Sequence, residues 1–561
     1  CLPSTRASNE PPTAPPTNKR AMGKDKKAKA PVTLGAGGLA GAIGAYSSSP
    51  ATGPSLLSAV LGDSSLDGEA QVLLKKLGKR DTTTKLKALV ELHATLKDKG
   101  AEWAVELLPH WCLAFGRLAT DISWQVREQA CSALGVVAAL VGRQLAPQLR
   151  TLMPPWLCCK CDVQHDVRRA AAAAFSAAFP SAEKGGSALL YCREELVSGL
   201  VERALAPAPP KVSDKEEAAE AAEIHERGVA SALGALAQLL RGVPEQGRAQ
   251  LAQLLEAPLP RLWGLASSKA ATVRAAVYGF GLALLQTQPA VASAELGGLG
   301  GALLEGLSDK DPFCHAALWE PLLLLLRTHS AALREATPAA WHILARLTSL
   351  LRHGCYGGAL SAARALLPLA SLLPEDQLRP ATDNSVAAAA ELLPALWEGI
   401  SSEHLAAAHV VALLEAYGEL LLLLLVSAGR DAESASAARR QAALLRVGAG
   451  APLRALLTAS LPARLAENVA TDRLAAMLAR LAASSRCTAA LHSFWPELCA
   501  MCAEDAVSGS GVAARRRGGA LLLALRRALL GSTAPPAAVC LASLLPQAAR
   551  LWHGWARAWL R

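Results

Sequence analysis

Apolar residues recur at helical spacing along most of this chain. From residue 69 onward they return every three or four positions, as in Val72, Leu73 and Leu77, and again in Leu89 and Val90. Such a period predicts amphipathic helices that each bury one face. Turn-forming residues break the pattern at uneven intervals, at 207–210, 242–244, 258–260, 308–312 and 374–376. The chain is therefore predicted to be a series of helices joined by short turns.

One short signature returns within this pattern. Val126-Arg127 reappears 41 residues later as Val167-Arg168 (167 − 126 = 41), each time after an acidic turn and before an alanine. A third copy is Val273-Arg274, and a degenerate fourth spans residues 309–315. A period near 40 residues, built from two helices, is typical of HEAT and armadillo arrays. We therefore predict an all-α fold, an irregular HEAT/ARM-type α-solenoid whose units cover one another's apolar faces.

Each residue type in the signature has a predicted role. The turn residue, Asp121 or Asp162, accepts hydrogen bonds from free N–H groups at the start of the next helix. The valine faces inward, and the arginine stands near the surface, where it reaches a carboxylate of the adjacent repeat. The residues predicted to form this structural signature are Val126, Arg127, Val167, Arg168, Val273 and Arg274.

Composition agrees with a helical prediction. The chain has 561 residues, of which 52% are hydrophobic and only 4% aromatic, and alanine and leucine favour helix over sheet. The longest apolar runs, such as Leu420–Val426, are shorter than the ~18 residues that a membrane span requires. Buried solenoid helices explain the mean hydropathy of +0.25, and no membrane association is expected.

Five regions are predicted from these patterns. Residues 1–66 are expected to be a disordered tail, in which 1–21 precede Met22, the expected true start. Residues 67–206 are predicted as HEAT-like repeats, 207–214 as a Pro-rich linker and 215–428 as further HEAT-like repeats. Residues 429–561 are expected to be helical repeats rich in Ala, Leu and Arg.

Cysteines form the most suggestive chemical cluster. Cys158 and Cys161 make a CxxC, and His165 lies four residues further on, so the three are expected to share a helix face. Structural zinc needs a second ligand pair, and the other CxxC, Cys499 to Cys502, is more than 330 residues away. Packing of small buried cysteines between helices is the favoured interpretation, and no metal site is predicted.

Catalytic motifs are missing from the sequence. The glycine-rich stretch at 35–40 follows no predicted strand, so it does not predict a dinucleotide site. The sequence contains no HExxH, P-loop or GxSxG. We therefore expect no catalytic residue and no cofactor in this chain. Thirteen cysteines without regular spacing indicate a reducing compartment.

Positive charge is concentrated near the start of the first helices. The chain carries a formal net charge of +10, part of it between residues 75 and 87. Such a cluster suits rRNA phosphates. Alternatively, these side chains only solubilise the first helix, with Asp81 or Thr82 as its N-cap. The candidate RNA contacts are Lys75, Lys76, Lys79, Arg80, Lys85 and Lys87.

Longer segments resemble a known family. The segments are 72–89, 108–111, 126–128, 144–147, 152–157, 161–162 and 178–180, followed by 262–265, 273–274, 311–320 and 350–352. In this order they resemble the amino-terminal region of the listerins, RING-type E3 ubiquitin ligases of ribosome-associated quality control. The likeness extends over roughly residues 66–425.

The resemblance implies a function in the cytosol. Listerin solenoids dock on the large ribosomal subunit beside the factor that senses peptidyl-tRNA, so that stalled nascent chains are ubiquitinated and degraded. A carboxyl-terminal RING binds zinc and the ubiquitin-charged E2. This sequence has no eight-ligand Cys/His RING pattern, so we expect the chain to be an amino-terminal portion that is inactive alone.

Other functions for a helical array were compared with this one. A non-enzymatic HEAT scaffold or nuclear transport receptor is the main alternative, although transport receptors are usually acidic and this chain is basic. An RNA-binding array that reads one base per repeat needs a period near 35 and paired polar recognition residues. Neither feature is present.

Overall fold

A computed structural model describes most of the predicted helical region. It covers residues 66–484 together with a few positions between 487 and 527. Within 66–484 the positions left out are 211–212, 340, 380, 383–384, 403–404, 431–433, 459 and 463. Residues 1–65 of the predicted tail and most of the region after residue 484 therefore lie outside the described residues.

Every regular element in the described part of the chain is a helix. The α-helices are α1 (Gly68–Leu77), α2 (Thr82–Leu118), α3 (Trp124–Val141), α4 (Leu149–Lys160), α5 (His165–Ala178), α6 (Ala182–Tyr191), α7 (Arg193–Ala204), α8 (Lys215–Gly242), α9 (Glu245–Glu256), α10 (Leu259–Trp263), α11 (Ala271–Thr287), α12 (Pro289–Ala294), α13 (Leu296–Gly306), α14 (Pro312–Ala336), α15 (Ile343–Arg352), α16 (Ala359–Ser371), α17 (Glu375–Leu378), α18 (Leu392–Ile400), α19 (Ala407–Ala428), α20 (Ser434–Gly448), α21 (Gly450–Leu457) and α22 (Glu467–Ala483). Short 3₁₀ turns join several of them, and α2 consists of two helices that meet at Gly100, where φ is 74°.

Helices pack on near neighbours in chain order. The largest packing interfaces join α2 to α3, α3 to α5, α8 to α11, α11 to α14, and α16 to α19. Leucine and alanine dominate the buried side chains, and Trp111 and Trp156 are fully buried between helices. This arrangement confirms the predicted all-α HEAT/ARM-type solenoid. Not every periodic residue faces the core, because Val72 and Val90 are 51% and 62% exposed.

The signature arginine Arg127 forms a bridge between consecutive repeats. Its Nε and Nη2 donate to Oδ2 and Oδ1 of Asp162 at 2.8 and 3.0 Å, and its Nη1 donates to the carbonyls of Asp121 and Ile122. Arg127 is only 2% exposed, so the expectation of a surface position is wrong for this residue. All three nitrogens are bonded, which is what a buried guanidinium requires. We call this arrangement the inter-repeat bridge.

Arg274 repeats the same geometry. Nε and Nη2 donate to Asp309 at 2.6 and 2.8 Å, and Nη1 donates to the carbonyls of Ser268 and Lys269. Burial tends to raise the pKa of Asp309, but the hydrogen bonds from Arg274, from the Asp311 N–H and from Cys314, together with the charge of Arg274, outweigh burial, and the pKa lies below its usual value. The signature valines beside these arginines, Val126 and Val273, are buried, as is Val167 in the second copy.

Two other residues take the arginine's place in the series. Lys85 Nζ donates to Asp121 at 2.5 Å, and the aspartate follows the lysine by 36 residues. Arg127 and Arg274 each precede their aspartates by 35 residues. His315 lies six residues after Asp309, as Arg127 lies six after Asp121, and its Nε2–H donates to the Asp309 carbonyl at 2.8 Å. The degenerate fourth copy therefore keeps the local contact to the turn but replaces the guanidinium with an imidazole.

Arg168 departs from the pattern. Its Nη1 donates to the carbonyls of Asp162 and Val163, both at 2.7 Å. Among the described residues, however, no carboxylate binds its other nitrogens. The expected pairing with the adjacent repeat is thus found for Arg127 and Arg274 and is wrong for Arg168.

The turn carboxylates act on the backbone as well. Oδ1 of Asp121, Asp162 and Asp309 each accepts the N–H two residues on, at 2.9 Å. One oxygen therefore fixes the turn while the carboxylate also binds a cation of the preceding repeat. This bond reaches the residue that caps the helix or lies beside the cap, and it stabilises the turn before the helix begins.

Two stretches pass a test of length and hydropathy for membrane spans. Trp124–Lys160 and Ala407–Ala428 are long and apolar enough, which corrects the expectation that apolar stretches here are too short. Of the 18 residues that make each stretch apolar enough, 44% in the first and 50% in the second are buried inside the protein. Core helices of a solenoid pass the same test, so the stretches are weak indicators of a span.

Breaking the bridge should destabilise the repeats around it. Arg127→Met leaves Asp162 buried without its cation, and we expect a loss of about 3–5 kcal/mol in local opening free energy. Hydrogen exchange of peptides from α3 and α5 measures this loss. The double variant Arg127→Met/Asp162→Asn buries no charge and should recover part of it. Arg169→Met, at a side chain 67% exposed, is the matched control and should change little. Equal exchange in the single and double variants would refute the charge argument.

Stability should also depend on the protonation of His315. Burial lowers the pKa of this imidazole, so the folded chain favours the neutral form. The contribution of His315 to the free energy of unfolding is complete above about pH 6.5, the pKa of a histidine in the unfolded chain. It is lost as the pH falls through the folded pKa, by at most about 1.4 kcal/mol per pH unit. Chemical unfolding at pH 7.5 and ~5.5 should show a smaller pH dependence for His315→Gln than for the unmodified chain. Because both proteins keep the other histidines, equal slopes would exclude this role.

Candidate functional site

The turn between α1 and α2 carries the candidate RNA contacts. Gly78 ends α1, and its N–H donates to the carbonyls of Leu74 and Lys76. Asp81 is the N-cap of α2, accepting the Thr84 N–H at 2.7 Å and the Thr84 hydroxyl at 2.6 Å. These hydrogen bonds lower the pKa of Asp81. Both helix ends are thus capped, and the short turn between them has a defined geometry.

Four of the six candidate cations project into solvent. Within the described part of the chain none of these four has an ion-pair partner. We call them the exposed cation set: Lys75, Lys79, Arg80 and Lys87. Lys79 and Arg80 lie in the turn itself, while Lys75 and Lys87 flank it on the last turn of α1 and the second turn of α2.

The other two candidates are engaged within the protein. Lys76 Nζ binds Glu91 at 2.6 Å. Lys85 Nζ binds Asp121, and the two side chains are only 14% and 7% exposed. Lys85 therefore belongs to the series of inter-repeat contacts, and its ammonium is not presented to an outside partner. Sequence spacing alone does not distinguish Lys85 from Lys87, because both lie in the same basic segment.

The exposed cation set makes a local excess of positive charge. The nearby carboxylates Glu91 and Asp121 are held by Lys76 and Lys85, and Asp81 caps its helix. Several unpaired cations on a short, capped turn attract a polyanion, and each phosphate contact releases a counterion. The arrangement can therefore bind phosphate groups electrostatically.

The cysteine cluster has the environment of a packed core. The helix α4 ends at Lys160, and His165 begins α5 with its side chain 75% exposed, so the expected shared helix face is wrong. Burial raises the pKa of Cys158 and of Cys161 to about 12. Both are thiols at neutral pH, and a thiol is a poor zinc ligand. Among the described residues, no three His, Cys, Asp or Glu side chains are grouped to hold a metal. Cys499 and Cys502 lie outside those residues.

Sequence reasoning missed one long-range contact. Arg227 on α8 donates through Nη2 to the carbonyls of Thr120 and Asp121 at 3.1 and 2.8 Å, more than 100 residues earlier. The side chain is 9% exposed. No local spacing indicates such a partner, because the contact depends on where α8 passes the turn that follows α2.

Comparison with known proteins identifies the family. A sequence model described as the N-terminal domain of E3 ubiquitin-protein ligase listerin matches residues 63–373, more than half of the chain. The mouse E3 ubiquitin-protein ligase listerin is 31% identical over 332 residues, covering 57% of this chain and 18% of that protein. The fruit fly protein of the same name is 24% identical over 335 residues, covering 56% of this chain. The chain spans about a fifth of the length of these relatives.

Solved structures add only a weak likeness. A structure of Kap95p matches 87% of this chain at 13% identity with a TM-score of 0.36. A score this low carries no argument about function. The sequence relatives therefore decide the assignment: the chain belongs to the listerin family, and the matching part is that family's N-terminal domain.

Proposed function

We propose that this chain is the N-terminal solenoid of a listerin-type E3 ubiquitin ligase in the ribosome quality control complex. In this role it docks on the large ribosomal subunit, so that stalled nascent chains are ubiquitinated and degraded. The proposal rests on family membership and on the exposed cation set, the observation that carries the docking step. It places the chain in the cytosol, associated with ribosomes.

The partners follow from the same proposal. The exposed cation set contacts rRNA phosphates, and neighbouring repeats contact ribosomal proteins and the subunit that senses peptidyl-tRNA. Zinc and the ubiquitin-charged E2 belong to the RING of the listerin family, which is outside the matched domain. No step of ubiquitin transfer is assigned to the described residues, whose contribution is placement of the ligase on its substrate.

Charge reversal of the exposed cation set tests the docking step. Changing Lys75, Lys79, Arg80 and Lys87 to Glu should abolish co-sedimentation with purified large ribosomal subunits, because each phosphate contact becomes a repulsion. The circular-dichroism melt should not change, since these side chains bind nothing within the described residues. Binding by the unmodified chain should weaken steeply as salt rises.

The matched control changes the same net charge elsewhere. Lys97, Lys184, Lys215 and Lys269 are also exposed, and their change to Glu should leave most of the binding intact. Equal loss in both fourfold variants would mean that only net charge matters, and the proposed contact surface would be wrong. Undiminished binding by the first variant would also rule it out.

Lys85 should behave differently from its neighbour Lys87. Lys85→Glu places a second carboxylate beside the buried Asp121, and we expect a loss of about 3 kcal/mol or more in local stability. Lys87→Glu should leave stability nearly unchanged because the side chain is exposed. Hydrogen exchange in α2 and α3 measures both. Similar protection in the two variants would show that the Lys85–Asp121 pair contributes little.

A further inference from the structure

The edge of the solenoid that carries the exposed cation set continues into the next repeat. Lys85, one helical turn into α2, donates its backbone N–H to the Asp81 carbonyl at 3.2 Å and its Nζ to Asp121 at 2.5 Å. The turn before α2 and the turn before α3 are therefore adjacent. Because α2 and α3 also pack along each other, their axes lie roughly 8–10 Å apart, and both helices begin at this edge.

Trp124 is the first residue of α3 and stands at the same edge. It is 36% exposed, whereas Trp111 and Trp156 are fully buried in the core. Within the described residues its indole makes no hydrogen bond and no ring or cation–π contact. By contrast, the exposed ring of Tyr191 has the Arg150 guanidinium 4.9 Å from its centre. The Trp124 ring thus keeps a surface that the described part of the chain does not use.

The backbone that carries this indole is fixed on both sides. Oδ1 of Asp121 accepts the Ser123 N–H at 2.9 Å, and the Ser123 hydroxyl donates to Oε1 of Gln125 at 2.8 Å. Nη1 of Arg127, one turn further along α3, donates to the Asp121 carbonyl at 2.7 Å. A flat group that stacks on the Trp124 ring therefore has little backbone to order.

An aromatic ring beside unpaired cations is how proteins hold single-stranded nucleic acid, since the cations follow the phosphates and the bases stack on the ring. We propose that the Trp124 indole receives an unpaired RNA base while the exposed cation set holds the phosphates of neighbouring nucleotides. A base inside a duplex is covered on both faces, so the site selects loops, bulges and single strands. This inference rests on the proposed docking function and adds the class of RNA that the surface binds.

The charges at this edge favour RNA over an apolar protein segment. Val163, in the following turn, is 51% exposed, and the bond from Arg127 to Asp162 joins its turn to that of Trp124. An apolar segment would cover Trp124 and Val163 but leave the exposed cation set without a counter-charge. RNA satisfies the cations and the ring together.

Two labelled strands test the proposal on the full chain by fluorescence anisotropy. One is an oligouridylate, and the other is an abasic strand with the same number of phosphates. The unmodified chain should bind the oligouridylate about tenfold more tightly, because one stacked base contributes that much beyond the phosphate contacts. Rising salt should weaken both complexes alike, since both strands carry the same charge.

Variants at Trp124 locate the base contact. Trp124→Ala should lose about tenfold in affinity for the oligouridylate and bind the abasic strand as before, and Trp124→Phe should recover part of the loss because its ring still stacks. Phe313→Ala is the matched control. Phe313 is also an exposed aromatic residue in the first turn of its helix, at 57%, but it lies two hundred residues from the exposed cation set along the chain. This variant should bind both strands as the unmodified chain does.

Several outcomes would overturn the base contact. An equal loss for both strands in Trp124→Ala would mean that the indole only supports the fold. Equal affinity of the unmodified chain for the two strands needs no variant to fold, and it would leave an apolar protein segment as the occupant of this edge. The docking function fails separately, if the fourfold glutamate variant keeps its co-sedimentation with large ribosomal subunits.

Discussion

The rest of the structure depends on one interaction, a buried arginine held between its own turn and the carboxylate of the next. Hydrophobic contact between Ala- and Leu-rich helices is strong but not directional, and many stacking angles would bury similar area. The bond from Arg127 to Asp162 is directional, since two nitrogens must meet two oxygens. Because the pair is almost fully buried, any sliding of one repeat on the next would leave a charge unpaired. The bridge therefore selects one register among those that apolar packing allows.

Much of this fold can be predicted from the sequence. Helical spacing predicts the helices, and the return of Val-Arg after an acidic turn predicts the repeat and a contact from the arginine to a carboxylate of the adjacent repeat. Two contacts could not be predicted from the sequence. The role of Lys85 depends on Asp121 lying 36 residues away, and the contact of Arg227 depends on how α8 crosses earlier helices. Burial of Arg127 was misjudged because arginine is usually exposed, and only its bonds to the turn carbonyls permit an interior position.

The candidate RNA-contact surface shows the same difference between what the sequence predicts and what the structure adds. A run of six cations in sequence looks uniform, yet Lys76 and Lys85 neutralise carboxylates of their own chain while the exposed cation set does not. Charge counted along a sequence therefore overstates the charge that a partner meets. Family membership supports the ligase context, and the local geometry decides which side chains remain available.

The bridges share one polarity: the cation always precedes its carboxylate, by 35 or 36 residues. During synthesis the cation of each newly formed repeat therefore has no carboxylate partner until the following turn leaves the ribosomal exit tunnel. At ~5–20 residues per second that wait lasts about 2–7 s. The growing end is thus repeatedly incomplete while its amino-terminal side is already settled, which orders assembly from first repeat to last. A pause in translation just after an arginine would prolong the most vulnerable stage.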